Sequence, residues 1–184
     1  MRIVGGTHGG VRLAALGKGD AGAHLRPTPD RVRESLFSML VHRGVVEGAR
    51  VIDLFAGTGA LGFEALSRGA GTAVFVENGR TGQRLIAENA AKLRVQDRVT
   101  LLRGDATRLG AVPGGPFDLV FLDPPYGKGL GERALAGLLA GGALASGATV
   151  AWEESAPMAA PDGFARLDHR RFGDTHVTLL EVTG

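Results

Sequence analysis

Cysteine is absent from the 184-residue chain. That excludes disulfides, thiolate metal sites and a cysteine nucleophile. Charge of one sign is also scarce. Lys and Arg number 21 against 19 Asp and Glu, a net charge of +2, so the molecule as a whole is not a polycation. No charged-then-apolar leader opens the sequence, and no apolar run approaches the roughly 18 residues that would suggest a membrane span. The expectation is a cytoplasmic protein. Internal repeats are missing, and so is a linker that would divide the chain. What is present is an ordinary globular balance, 44% hydrophobic and 22% charged residues, in a chain long enough for one proper core.

Asp123-Pro124-Pro125-Tyr126 is the stretch around which the rest organises. It follows Phe117 to Leu122, an apolar run suited to a buried strand. Neither proline donates a backbone N–H, so a sheet ladder stops there. Asp123 and Pro124 each precede a proline, which favours extended conformations. A stiff tetrapeptide at the carboxyl end of a strand lies where open α/β sheets bind ligands. Its carboxylate and the Pro124 carbonyl can accept the N–H bonds of an exocyclic amine, while Tyr126 stacks on the flat group bearing it. The plainer reading is a strand-ending turn with a surface aromatic.

Other strands end in the same way. In the stretch from Ala49 to Leu66 an apolar strand runs into a glycine turn, Gly57-Thr58-Gly59, and then a helix. Gly57, Gly59 and Gly62 satisfy the dinucleotide fingerprint, by itself a weak signal. A second strand, Ala73 to Glu77, ends on an acid 20 residues beyond Gly57, the spacing of a carboxylate that binds ribose hydroxyls. A helix covers roughly Arg80 to Leu93. A third strand, Val99 to Arg103, leads to Gly104-Asp105-Ala106, and the fourth leads to Asp123. Strands alternating with helices predict a parallel, doubly wound sheet with a ligand crevice along one edge. After Tyr126, Gly127 to Gly131 reads as a flexible basic loop able to close over a substrate. A helix to about Ala140 and a fifth strand near Thr149 to Trp152 follow. Phe164 to Phe172 and His176 to Val182 flank Gly173-Asp174 as an antiparallel hairpin.

Basic residues gather near the start. Residues 1–25 are glycine-rich and do not look like core; they read as a small twisted hairpin or loose arm, with Arg2, Arg12 and Lys18 placed for phosphates or simply solvated. In the next segment Thr28 is a candidate N-cap, Pro29 suits the first helical position and Asp30 the first turn. Val32, Leu36, Met39 and Leu40 form the apolar stripe, while Arg26, Arg31 and Arg33 add positive charge at the helix entrance.

These motifs carry a resemblance. Asp53-Leu54-Phe55-Ala56-Gly57-Thr58-Gly59 resembles the first motif of class I S-adenosylmethionine-dependent methyltransferases. Asp123-Pro124-Pro125-Tyr126 resembles the catalytic motif of those that methylate exocyclic or amide nitrogens. More narrowly, Met1 to Gly6, Arg26-Pro27-Thr28 through Phe37, and Arg171-Phe172-Gly173-Asp174-Thr175 are similar to the RsmD family, which methylates the guanine N2 of one nucleotide in 16S ribosomal RNA of the small subunit. The likeness runs through nearly the whole chain, least in Thr7 to His24.

The resemblance implies a Rossmann-like class I methyltransferase fold in residues 26–184, behind an N-terminal arm that contacts RNA. It implies S-adenosylmethionine as cofactor, no metal, and no membrane partner. Gly57 and Gly59 would let the loop approach the methionine moiety, Asp53 would hold its amino end, and Glu77 would bind the ribose diol. Asp105 would accept from the adenine amine beside the Ala106 N–H, with Phe55, Ala56 and Asn78 completing the cofactor set. Asp123, Pro124, Pro125 and Tyr126 would hold the guanine. Arg2, Arg12, Lys18, Arg26, Arg31, Lys128 and Arg171 are the candidate RNA contacts. A monomer acting on 16S rRNA, or on an assembling small subunit with its ribosomal proteins, is the expectation.

Four rivals share parts of this pattern. A nicotinamide-dependent oxidoreductase would explain the glycines and Glu77, but not Asp53 or the tetrapeptide. A DNA adenine-N6 methyltransferase usually needs extra sequence for target recognition. A protein-glutamine-N5 methyltransferase lacks support from the basic N-terminal segments. A non-enzymatic RNA-binding module would require both motifs to be vestigial.

Overall fold

The computed structural model describes residues 1–16 and 28–184. Seven strands form one sheet in the order β3-β2-β1-β4-β5-β7-β6. They are β1 (Arg50–Leu54), β2 (Thr72–Glu77), β3 (Val99–Arg103), β4 (Phe117–Leu122), β5 (Leu144–Glu154), β6 (Phe164–Phe172) and β7 (Thr175–Val182). β1 to β5 pair in parallel, and β7 runs antiparallel between β5 and β6. Chain order reverses at β1 and β4, so the carboxyl ends of these two neighbours flank the switch point where open sheets hold ligands.

Helices cover both faces, which is why the central strands read as unbroken apolar runs. α1 (Asp30–His42), α2 (Ala60–Ser67) and α3 (Arg80–Leu93) pack on one side, where Phe37, Phe63 and Ile86 meet Val51, Phe75 and Phe121. α4 (Leu130–Ala140) covers the other, setting Leu135 and Leu138 against Ile52, Val120 and Trp152. Side-chain alternation along β1 sends Ile52 and Leu54 toward α4 and leaves Val51 and Asp53 on the three-helix face.

Several expectations need correction. Residues 1–16 hold no named strand; an antiparallel bridge joins Arg2 to Arg12, flanked by N–H bonds from Ile3 to the Val11 carbonyl at 2.9 Å and from Leu13 to the Met1 carbonyl at 3.1 Å. Nor is this stretch wholly outside the core, because Ile3 and Leu13 are buried against the three-helix face. Its backbone is held by a distant side chain: Val4 and Gly5 donate N–H bonds of 2.8 and 2.9 Å to the two Glu64 oxygens on α2. The cap position of α1 belongs to Pro29, with no side-chain cap. Thr28 stands one residue before the cap, and its hydroxyl donates to Glu153 at 3.0 Å. Arg33 is not surface charge. It is fully buried, and its guanidinium reaches Glu64 at 3.2 Å and also pairs with Asp30. β5 is longer than its apolar heart, continuing to Glu153 and Glu154. Gly17, Gly19, His24 and the candidate contacts Lys18 and Arg26 lie outside the described residues.

Candidate active site

Four strand ends open onto one cavity of about 430 Å3. Asp53 and the Phe55-Ala56-Gly57-Thr58 turn line it from β1, Glu77 and Asn78 from β2, Gly104 and Ala106 from the turn after β3, and Asp123 to Tyr126 from β4. Its size suits a cofactor-sized molecule with room for few polar groups.

The β1 turn is built for close approach. Gly57 sits at φ 57°, in the left-handed region that glycine enters without penalty. Phe55 is also left-handed, at φ 58°, a conformation uncommon for a bulky residue and concentrated at functional turns. Ala56 braces it by donating to the Val76 carbonyl at 3.0 Å. Farther along the turn, the buried Asn89 of α3 donates to the Thr58 carbonyl at 3.1 Å and accepts from the Ala14 N–H at 2.6 Å. Gly62 has a different purpose from the turn glycines. A Cβ there would meet the Phe75 ring at 2.4 Å and Asp53 Oδ2 at 3.2 Å, so its absence lets α2 close onto the sheet. Gly59 is left-handed at the N-cap of α2 and does not line the cavity.

Glu77 is held rigidly. One oxygen accepts from the Gly57 N–H at 2.8 Å and the other from the Gly79 N–H at 2.7 Å. Each oxygen keeps accepting capacity beyond that single bond. Asp53 is buried beneath the turn and accepts from Gly62 N–H at 2.9 Å. Burial pushes its carboxyl up to about 8; the Gly62 bond opposes this, while Glu77 and Glu153 add to it. Asp105 is exposed and outside the cavity lining, with one oxygen held by the Thr107 N–H at 2.8 Å and the Thr107 hydroxyl at 2.7 Å. Those bonds lower its pKa. Its neighbours Gly104 and Ala106 face the cavity instead.

At the opposite end, Asp123 and Tyr126 line the same cavity. Burial raises the Asp123 carboxyl well above the usual range, and Glu153, Asp53 and Glu154 raise it further. Tyr126 is 40% exposed, leaving ring surface available for stacking. Its hydroxyl is pushed up to about 12, first by burial, against a hydrogen bond with Thr175, and then by Asp123, Glu153 and Glu154, so it stays protonated at neutral pH.

Sequence reasoning missed Thr28, which lines the cavity, and Glu153, which Thr28 holds. The signal for Glu153 was present: β5, like β2, ends on an acid. Of the candidate RNA contacts, Arg2, Arg12, Arg31, Lys128 and Arg171 are exposed. Arg2 pairs with Asp30 at 3.2 Å, and Arg171 donates to the Gly173 carbonyl at 2.8 Å. Among the described residues, no group of three or more His, Asp or Glu is arranged to hold a metal ion, and no helix is long and apolar enough to cross a membrane.

Comparison with known proteins gives this site a lineage. The family described as Conserved hypothetical protein 95 matches residues 1–181. The chain is similar to ribosomal RNA small subunit methyltransferase D of Escherichia coli, 38% identical over 135 residues, or 73% of this chain and 65% of that protein. The chain thus spans about two thirds of that relative's length. It is also similar to the protein of the same name from Haemophilus influenzae, 32% identical over 186 residues, 98% of this chain and 93% of the relative. The solved structure of yhhF from Escherichia coli superposes with a TM-score of 0.84 at 32% identity, covering 100% of this chain and 98% of the other. The chain belongs to the RsmD family, Conserved hypothetical protein 95, within the class I S-adenosylmethionine-dependent methyltransferases.

Proposed function

We propose that this protein transfers a methyl group from S-adenosylmethionine to the exocyclic N2 of a guanine in small-subunit ribosomal RNA. The observation that carries the reading is a single cavity with two chemically distinct ends. One end offers the anchored Glu77 carboxylate, suited to a ribose diol. The other offers Asp123, the Pro124 carbonyl and the Tyr126 ring, suited to an aromatic amine. The relatives' names supply the substrate class.

The donor set fits the cofactor. A diol can donate to the oxygens of Glu77, which keep accepting capacity, and Asp53 would hold the amino end of the methionine portion, directly or through water. Ala56 and Gly57 would bring backbone beside the methionine portion, and Asn78, Gly104 and Ala106 would flank the adenine, with Asp105 at the rim. When bound, S-adenosylmethionine supplies a methyl group that already carries its leaving group. The rest falls to the chain. The guanine amine is a poor nucleophile because its lone pair is delocalised into the ring. Acceptance of its N–H bonds by Asp123 and the Pro124 carbonyl favours a pyramidal nitrogen with a free lone pair. Tyr126 holds the base, which must leave its stack or lie in a loop to reach the cavity. Positioning and preorganised electrostatics then carry most of the acceleration. The methylated nitrogen ends by losing a proton, for which Asp123 is the nearest cavity base in this reading.

The test uses labelled S-adenosylmethionine and partially assembled small subunits from a strain lacking the enzyme. N2-methylguanosine at one site is the expected product. Transfer to DNA adenine or protein glutamine, with none to RNA, would overturn the substrate assignment.

A further inference from the structure

Behind Asp123 stands a second carboxyl that the transfer as described does not use. Glu153 is only 3% exposed, and the Thr28 hydroxyl spans both its oxygens, at 3.0 and 3.3 Å. Register places it beside Asp123. Phe121 pairs with Ala151 and Leu122 with Trp152 in the parallel β4–β5 ladder, so Asp123 and Glu153 follow side by side. Asp53 pairs with Phe121 on the other flank. With a side-chain period of two, Asp53, Asp123 and Glu153 therefore lie on the same face at adjacent strand ends.

Like charges this close and this dry resist simultaneous ionisation. We infer that Glu153 is a positioning residue: held by Thr28, it shares one proton with Asp123 and thereby decides when Asp123 can accept an N–H of the substrate amine. The inference rests on the proposed transfer reaction only for its last step. The groups around the pair divide by sign. Asp53 and Glu154 crowd it with negative charge, while the Thr28 hydroxyl and the Arg33 guanidinium favour an ionised Glu153. From β7, Val177 stands opposite Glu153 and contributes no charge. Burial raises both members of the pair. Protonated Asp123 has one oxygen occupied by hydrogen and accepts poorly. Ionised Asp123 accepts fully. Transfer of the shared proton to Glu153 leaves the total charge of the pair unchanged.

Glu153→Gln keeps an oxygen for Thr28 and removes the titrating neighbour. Carbon-13 NMR of labelled Asp side chains, in the full chain without cofactor, follows the Asp123 carboxyl against pH. Its midpoint is expected to fall by at least about one pH unit in E153Q and to stay high in Glu153→Asp, which keeps the charge. Thr28→Val provides a second route: without the hydroxyl the proton settles on Glu153, and the Asp123 midpoint falls again. An unmoved midpoint in E153Q and T28V would overturn the pairing whatever the protein methylates. The acid limb of the methyl-transfer rate is then expected to move with the NMR midpoint. A limb that stays put while the midpoint moves would overturn the positioning role. Absence of transfer to any RNA, with the midpoint shift intact, would instead count against the proposed reaction.

Discussion

Asp53 is a buried carboxyl and Asp123 a half-buried one on the same face of the sheet, and their surroundings assign them separate tests. Under the proposed function Asp123 faces the substrate amine, so Asp123→Ala removes an acceptor without touching the Glu77 end. Methyl transfer is expected to fall by at least about a hundredfold, the scale for losing one preorganised polar contact. Cofactor affinity measured by calorimetry should stay within a few-fold. Glu77→Ala should show the reverse order of damage, weakening cofactor binding by about ten- to a hundredfold through a lost buried acceptor. Asp53 is best tested through stability. Its carboxyl is raised from 3.8 to about 8 by burial, against the Gly62 bond. A raised acid holds its proton more tightly folded than unfolded, so its contribution is complete below pH about 4. That contribution drains as pH rises toward 8. Asp53→Asn keeps an acceptor for Gly62 but cannot ionise. Denaturant unfolding without cofactor should therefore show a flatter pH dependence in the variant, which gains on the parent by on the order of a few kcal/mol at pH 8. Parallel pH curves for the two proteins would mean that Asp53 titrates normally.

At the scale of the element, the pairing most important to the arm lies in α2, through Glu64. This buried carboxylate receives Arg33 from α1, Arg68 from the end of its own helix, and the Val4 and Gly5 amides. Glu64→Ala would leave the fully buried Arg33 with Asp30 as its remaining carboxylate partner and strip two backbone donors of their acceptor at once. Breaking one side of such a pair costs about 3–5 kcal/mol, which at this chain length lowers the melting temperature by roughly 10 °C or more. A change below about 2 °C would show that water or Glu34 replaces the lost partner. The same pairing marks the border of what was legible. α3 and β1 to β4 could be read from periodicity and from the punctuation of Gly, Pro and Asp, because those signals are local. Arg33 could not. On the one-dimensional pattern it is a polar residue at a helix entrance, and only the arrival of Glu64, 31 residues later, makes its burial tolerable. The arm failed for the same reason: Ile3 and Leu13 are too few to announce a core position, and the core of the three-helix face, assembled from distant segments, is what buries them. Within the site, the residues ending β1, β2 and β4 were legible because each follows an apolar run. Thr28 was misread as a cap because its partner, Glu153, is 125 residues away.

The whole molecule has little charge to spare for a polyanion. A net charge of +2 cannot generate strong attraction from afar, so any RNA affinity must come from local placement of cations. Arg31 and Lys128 are exposed, as are Arg12 and Arg171. Arg2 is committed in part to Asp30. Under the proposed function these groups neutralise phosphates, and each such contact releases condensed counterions. Affinity for a small-subunit RNA fragment should then fall steeply with salt, and removing one contact should make that fall shallower. Arg31→Gln is the cleaner variant, since Arg31 lies on the exposed side of α1 beside the buried Arg33. Its slope of log affinity against log salt is expected to be smaller by about 0.7 to 0.9, with melting temperature unchanged. Weaker binding with an unaltered slope would mean that Arg31 acts through packing or a neutral contact. An unchanged affinity at every salt concentration would move the RNA face away from the entrance of α1.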